Sequence, residues 1–242
     1  MNIYPEGHKG NYKLTLKQEP TYLTTGNFKC PICAAEFKGL KVRDVKLKLE
    51  RATELRKYYK DFEPLYFEVN TCPECRYSAQ TPLFDKLMAS RKKMMAEKLQ
   101  DLLHFLSPWT EELTTGDVFE RFYLALLCYE TCFPDKELLI AGVWLKLSSL
   151  YSDAGDEAME AYAAGEAQKA YILAFQKCHI SPMKEPSLNL RIGLLSIKNG
   201  DAKTARDFLY KVKINSNSSK LQKDAADDAI NDLKAQGKIE DE

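Results

Sequence analysis

Two tetrapeptides, Cys-Pro-Ile-Cys at 30–33 and Cys-Pro-Glu-Cys at 72–75, stand 38 residues apart and hold four of the seven cysteines of this 242-residue chain. Two residues between cysteines let one tight turn aim both sulfurs at a single ion, and a tetrahedral site is completed by two such turns. The proline inside each pair helps to pre-set its turn. The spacing therefore predicts one shared metal site with Cys30, Cys33, Cys72 and Cys75 as ligands. All four positions are then filled by protein, with none left for water or substrate, so the expected role is structural. Metal binding of order 10 kcal/mol would dominate the folding energy of a module this poor in large apolar side chains.

Other readings of the cysteines fit less well. A thioredoxin-like pair expects a single C-x-x-C within a βαβ pattern, which is not seen around either pair. Disulfides are disfavoured in a reducing compartment. Four thiolates suit zinc in a ribbon-like module, and they also suit iron in a rubredoxin-like electron-transfer site. Zinc is the expectation and iron the alternative, since rubredoxin turns usually carry glycine after the second cysteine, where this chain has Ala34 and Arg76. Cys128 and Cys132, one turn apart in an apolar stretch, read as core. Cys178 and His179 adjoin a helix end, and His8 and His104 look isolated.

The N-terminus has no apolar segment behind basic residues, so no secretory signal is expected, and no stretch has the length of a membrane span. The expectation is a cytoplasmic protein without membrane contact. Net charge is zero, yet residues 1–99 carry 19 Lys/Arg against 12 Asp/Glu and the remainder 16 against 23. A basic excess in the first part can mark a nucleic-acid face, for which Lys38, Lys41, Arg43, Lys46 and Lys48 are the candidates. The plainer reading is a solvated surface that complements the acidic half of the same chain.

The hydrophobic period changes along the chain. Residues 45–50 and 65–69 alternate with period two and predict short strands, with a short helix over 50–59 between them. Residues 11–28 add a strand or lie as an extended arm. From Pro82 the period is helical: 82–106, then 114–133 with Asp117 and Glu120 as a capping box, then 135–156, 157–178, 187–214 as two helices around Asn199-Gly200-Asp201, and 221–237. Short connections make these antiparallel neighbours. Ile192, Gly193, Gly200, Ala205, Leu209 and Val212 match the large, small and turn positions of a tetratricopeptide repeat, and Trp144, Leu147, Tyr151 and Gly155 half of another. A plain helical bundle is the alternative. The fold class is therefore α+β: a zinc-ribbon-like β module over 1–81 and an all-α, tetratricopeptide-like antiparallel array over 82–242.

Cys30, Pro31, Cys33, Phe37 and Arg43, followed by Pro64, Tyr66, Val69, Cys72, Pro73, Cys75, Tyr77 and Ala79, closely resemble the bacterial family catalogued as domain of unknown function 2225. The resemblance implies a zinc-ribbon-like head before tetratricopeptide-like helices, and it brings no established activity. The chain departs from the family pattern at Ala34 and Arg76, where glycine is expected. If those positions need positive φ, each substitution costs on the order of 1 kcal/mol. Basic residues in 51–56 also replace the acidic ones expected there.

For function, the first expectation is a non-enzymatic adaptor. Its helices would bind a protein partner through aromatics drawn from Trp144, Tyr151, Tyr162 and Tyr171; each is otherwise a core residue. A nucleic-acid-binding ribbon is the alternative. There is no phosphate loop, no nucleophile elbow and no spaced histidine–carboxylate pair, so an enzyme is not expected. Oligomeric state is left open.

Overall fold

A computed structural model describes residues 3–110, 112–133 and 136–239. Among them are six strands: β1 (Leu23–Lys29), β2 (Glu36–Val42), β3 (Leu49–Ala52), β4 (Lys57–Tyr59), β5 (Val69–Thr71) and β6 (Ser78–Gln80). The helices are α1 (Lys92–Leu102), α2 (Thr115–Cys132), α3 (Lys136–Asp153), α4 (Glu157–Lys177), α5 (Glu185–Lys198), α6 (Ala202–Ile214) and α7 (Lys220–Ala235). The class is α+β, a strand-rich head followed by a helical array.

The strands form three separate antiparallel hairpins, β1–β2, β3–β4 and β5–β6. Hairpins one and three pack through a close approach that only glycine allows. A Cβ at Gly39 would lie 2.4 Å from Asn70 Oδ1, and Asn70 Nδ2 donates to the Leu40 carbonyl at 3.1 Å. Phe28 and Phe37, paired across β1–β2, meet Phe84, whose ring also meets Tyr77. Phe84 is 2% exposed, and this seat explains why helix does not start at Pro82. The chain makes 3₁₀ turns at Thr81–Leu83 and Ala89–Arg91, and the regular helix begins at Lys92.

Three further local expectations change. Residues 50–59 are not helical but form the β3–β4 hairpin, turned at Thr53, whose Oγ1 accepts from Arg56 N at 3.0 Å. The segment 45–50 begins in a 3₁₀ turn, Asp44–Lys46, and reaches extended pairing only at Leu49. Residues Pro64–Phe67 are a buried 3₁₀ turn capped by Glu63, which accepts from Leu65 N at 3.0 Å; the strand starts at Val69. A proline that cannot donate suits the first turn and not a ladder.

The array begins with α2. Its N-cap is Thr114, in a reciprocal box with Asp117, one turn earlier than the Asp117–Glu120 pairing expected; Glu120 is buried instead. The helix α3 runs to Asp153 and the chain turns at Gly155, φ +72°, as the stop signal requires. Between α5 and α6, Gly193 admits Leu209, whose Cδ2 would lie 2.7 Å from an added Cβ. Gln168 Nε2 donates to Ser196 Oγ at 2.8 Å and Asn199 Nδ2 to Gln168 Oε1 at 2.6 Å, a polar tie from α4 to α5. Cys128 and Cys132 are fully buried core residues.

One buried cluster crosses from the head into the helices, from Cys72, Tyr77 and Ala79 through Met95 to Phe122, Tyr129 and Leu147. The backbone of β6 is completed by α2: Gln80 N donates to Tyr129 Oη at 2.9 Å and Ser78 N to Cys128 Sγ at 3.5 Å. Residues 3–22 form an arm along α2 and α3, with Leu14 N donating to Thr115 Oγ1 at 3.1 Å. His8, isolated in sequence, stacks on Tyr4 at 4.2 Å and has Tyr12, Phe119, Tyr123 and Tyr151 around it. Its Nδ1 shares a hydrogen bond of 2.8 Å with Tyr151 Oη.

Candidate metal centre

Each Cys-Pro-x-Cys is the connection of a hairpin, the first between β1 and β2 and the second between β5 and β6. The two turns share one backbone. Cys30 N donates to the Ala35 carbonyl at 2.8 Å and Cys72 N to the Tyr77 carbonyl at 2.9 Å. Ala34 N returns to the Cys30 carbonyl at 3.0 Å and Arg76 N to the Cys72 carbonyl at 3.0 Å. Ala34 and Arg76 both have φ +63°, the left-handed conformation in which a side chain is strained.

These turns bring the four sulfurs within 4.8 Å of one another. Cys30 Sγ lies 3.5 Å from Cys75 Sγ, and Cys33 Sγ lies 3.6 Å from Cys72 Sγ, far beyond a disulfide bond. Thiolates at about 2.3 Å from a tetrahedral ion have sulfur–sulfur edges of about 3.8 Å, so the cluster has the size of a metal site. Cys30 and Cys72 are buried and Cys33 is exposed.

Cys30, Cys72 and Cys75 are hydrogen-bonded to one another, and their protonation shifts in opposite directions follow from that sharing. Cys72 is pulled down to about 2, first by hydrogen bonds from the Cys30 and Cys75 thiols, with backbone N–H groups of Cys75 and Glu74 helping. Cys30 is pushed up to about 12 by sharing its proton with Cys72, against N–H donors from Cys33 and Ile32. Cys75 is pushed up by Cys30 and Cys72 together. The sharing among Cys30, Cys72 and Cys75 is an arrangement that a bound metal would replace with metal–thiolate bonds. The backbone donors sit at equivalent places in both turns and orient the sulfurs as outer-sphere partners do. The residues fit a four-sulfur metal site.

A family model described as an uncharacterized protein conserved in bacteria (DUF2225) matches residues 23–236. The chain belongs to that family. No curated protein and no solved structure matches it. The matched span takes in the four cysteines and α1 to α7 alike, so the family is defined by head and array together. At the two positions where this family member lacks the expected glycine, the environments differ. Ala34 is exposed. Arg76 is 7% exposed; its Nη2 donates to the Ser107 carbonyl at 2.6 Å, Nη1 lies 3.7 Å from Glu120 Oε1, and the guanidinium covers the Trp109 ring at 5.1 Å.

The remaining candidates do not converge. Tyr151 and Tyr171, at 0% and 4% exposed, are core side chains, and Tyr171 also borders the groove described below. Trp144 is half-buried, edge-on to both Tyr123 and Tyr162, and of the four only Tyr162 is well exposed, at 42%. Among the basic residues, Lys38 and Lys41 fall on opposite faces of β2, and Arg43 Nε donates to the Leu23 carbonyl at 3.2 Å. Lys46 and Lys48 lie in the following turn and are exposed.

A groove of about 1030 Å³ is the feature that the sequence did not announce. One wall is the β3–β4 hairpin; the other comes from α3, α5 and α7 through Leu145, Leu190, Leu194 and Leu221. At its end Arg56 Nη1 and Nη2 donate to both oxygens of Asp153 at 2.8 and 2.7 Å, and Nη2 also to Glu63 at 2.8 Å. The partners lie 97 residues apart, so no local pattern signals them. No helix among the described residues is long and apolar enough to cross a membrane.

Proposed function

We propose that the chain is a cytoplasmic, non-enzymatic adaptor whose head is clamped by one zinc ion and whose helices, packed in the tetratricopeptide manner, take a protein partner in the groove between α5, α7 and the β3–β4 hairpin. The observation that carries this reading is the groove itself: it is large and walled by leucines from alternate helices of an array. Alternate helices lining one concave side, with Gly193 and Ala205 where paired helices approach most closely, support the repeat reading. Four protein thiolates close the coordination sphere and leave no position for substrate, which supports a structural ion. Zinc is preferred to iron because Ala34 and Arg76 stand where rubredoxin-like turns usually carry glycine. The basic residues of the head, divided between faces, give the nucleic-acid alternative little support.

Two measurements test the reading. Protein purified without chelator should hold about one zinc per chain and be colourless, with the metal lost in Cys30→Ser and Cys72→Ser. A red, iron-loaded protein would move the function to electron transfer. A photo-reactive residue at Leu194 or Leu221 should cross-link a defined partner in cells, and cross-links made equally from a site outside the groove would remove the adaptor reading.

A further inference from the structure

The hairpin wall of the groove is itself a segment of this chain seated on the array. Thr53–Arg56, the tip of the β3–β4 hairpin, meets the array with three side chains in a row. Leu55 packs against the buried cluster formed by Ala141 of α3, Tyr171 of α4 and Leu188 and Ile192 of α5. Glu54 meets Arg191 of α5, whose Nε lies 3.3 Å from both the Glu54 carboxylate and its carbonyl. Arg56 forks onto Asp153 at the end of α3 and donates to the Ser149 carbonyl at 3.3 Å. An apolar seat with a cation at one end and a carboxylate at the other reads an acid, a leucine and an arginine in that order. Charge complementarity fixes the direction of the segment, since reversal would set Glu54 against Asp153 and Arg56 against Arg191.

The hairpin is also tethered at both ends by the cysteines. It lies within the 38 residues between Cys33 and Cys72, so one ion bound by all four sulfurs closes the loop that carries it. A closed loop restricts where its tip can go, and opening it restores freedom that competes with docking. Between Arg51 and Lys57 the hairpin meets the array through Glu54, Leu55 and Arg56, and all four residues of β3 are exposed.

We propose that the groove recognises an extended protein segment with an acid–leucine–arginine sequence, that Glu54, Leu55 and Arg56 are a resident copy of it, and that the metal site keeps the copy in place. This rests on the adaptor reading and adds the partner's chemistry and its control. A partner segment competes with the resident one, and loss of the metal favours the partner by raising the population in which the groove is free.

The probe is a fluorescent, cyclised peptide of residues 49–60, compared with the same peptide carrying alanine at the positions of Glu54, Leu55 and Arg56. The full-length Leu55→Ala/Arg56→Ala chain should bind the first peptide at least tenfold more tightly than the unaltered metal-loaded chain, and the alanine peptide weakly. Chelating the unaltered chain should produce a gain in the same direction. Arg191→Glu placed in the opened chain should abolish binding, and a peptide with arginine at the position of Glu54 should restore it. A folded, opened chain that ignores the peptide, or that takes both peptides equally, overturns the proposal.

Hydrogen exchange on the unaltered chain covers the case in which the double variant does not fold. Residues 49–60 should exchange at least tenfold faster on metal removal while α3 and α5 keep their protection. Exchange that is unchanged, or that rises together with the array, overturns the clamp. A partner that cross-links at Leu194 yet is indifferent to the peptide would retain the adaptor and remove this proposal; peptide binding with no cellular partner would do the reverse.

Discussion

The turn at 30–35 and the turn at 72–77 have the same backbone, the same pair of internal hydrogen bonds and the same left-handed fifth residue, yet they sit in different surroundings. The first stands at the rim, with Ala34 and Cys33 exposed. The second lies against α2, with Cys72 and Tyr77 fully buried and Arg76 tied to Ser107 and Glu120. Equal geometry with unequal support means that a bound metal would do different work for each. The first turn reaches the core through Cys30 with Ile32 and Ala35 partly buried beside it, whereas the second is held more deeply, with Cys72 and Tyr77 fully buried. A left-handed side chain is a pure burden in one place and an anchor in the other.

The largest effect expected follows from removing the metal, which contributes on the order of 10 kcal/mol to a structural site of this kind. Hydrogen exchange on the chelated protein should show β1–β2 opening while β5–β6, packed on α2, keeps measurable protection. Equal loss in both hairpins would erase the contrast. The next effect is Arg76→Gly. It relieves the strained φ, worth about 1 kcal/mol, but leaves Glu120 buried without its cation, for which losses of about 3–5 kcal/mol are typical; a net destabilisation of roughly 2–4 kcal/mol should appear in urea unfolding. Ala34→Gly at the twin position should do the opposite and stabilise the metal-loaded protein by about 0.5–1 kcal/mol in the same assay. If both substitutions shift stability in one direction, the turns are alike after all.

The smallest effect concerns acid. Burial holds His8 down at about 4 from an ordinary 6.5, partly opposed by Asp156. Neutral His8 is therefore favoured in the docked arm. The stabilisation is complete above about pH 6.5 and is lost as pH falls toward 4. Tyr4, Lys9 and Tyr12 of the arm, Tyr123 of α2, and Tyr151 and Asp156 surround the ring. Because the arm lies on the helix that backs the second turn, acidification should speed exchange around Arg76 before it affects Ala34. His8→Phe should flatten that dependence.

The cysteines were legible because their ligand geometry is local: two residues per turn decide where both sulfurs point. The helices from α2 to α7 were legible because the apolar period repeats along each of them. Residues 44–67 were not. Their alternation suggested a strand and their charges a helix, while the structure is governed by Arg56 reaching Asp153 and Arg191 reaching Glu54, 97 and 137 residues away. Tyr151 and Tyr171 illustrate the other limit: on helices apolar almost all round, period alone does not say which face turns outward. The left-handed turns at Ala34 and Arg76 were visible only as departures from a glycine pattern, and the burial that sets them apart depends on α2.

The pairing of β6 with Cys128 and Tyr129 has a consequence for how the chain emerges during synthesis. All four thiols leave the ribosome before any of α2, so the ion can be captured early. The edge of β6 must then wait for side chains 50 and 49 residues further on. At about 5–20 residues per second that interval lasts roughly 3–10 s. For that time the head carries a bare strand edge, the surface on which nascent chains pair with one another. The helix that completes the fold is therefore also the cover that ends this exposure.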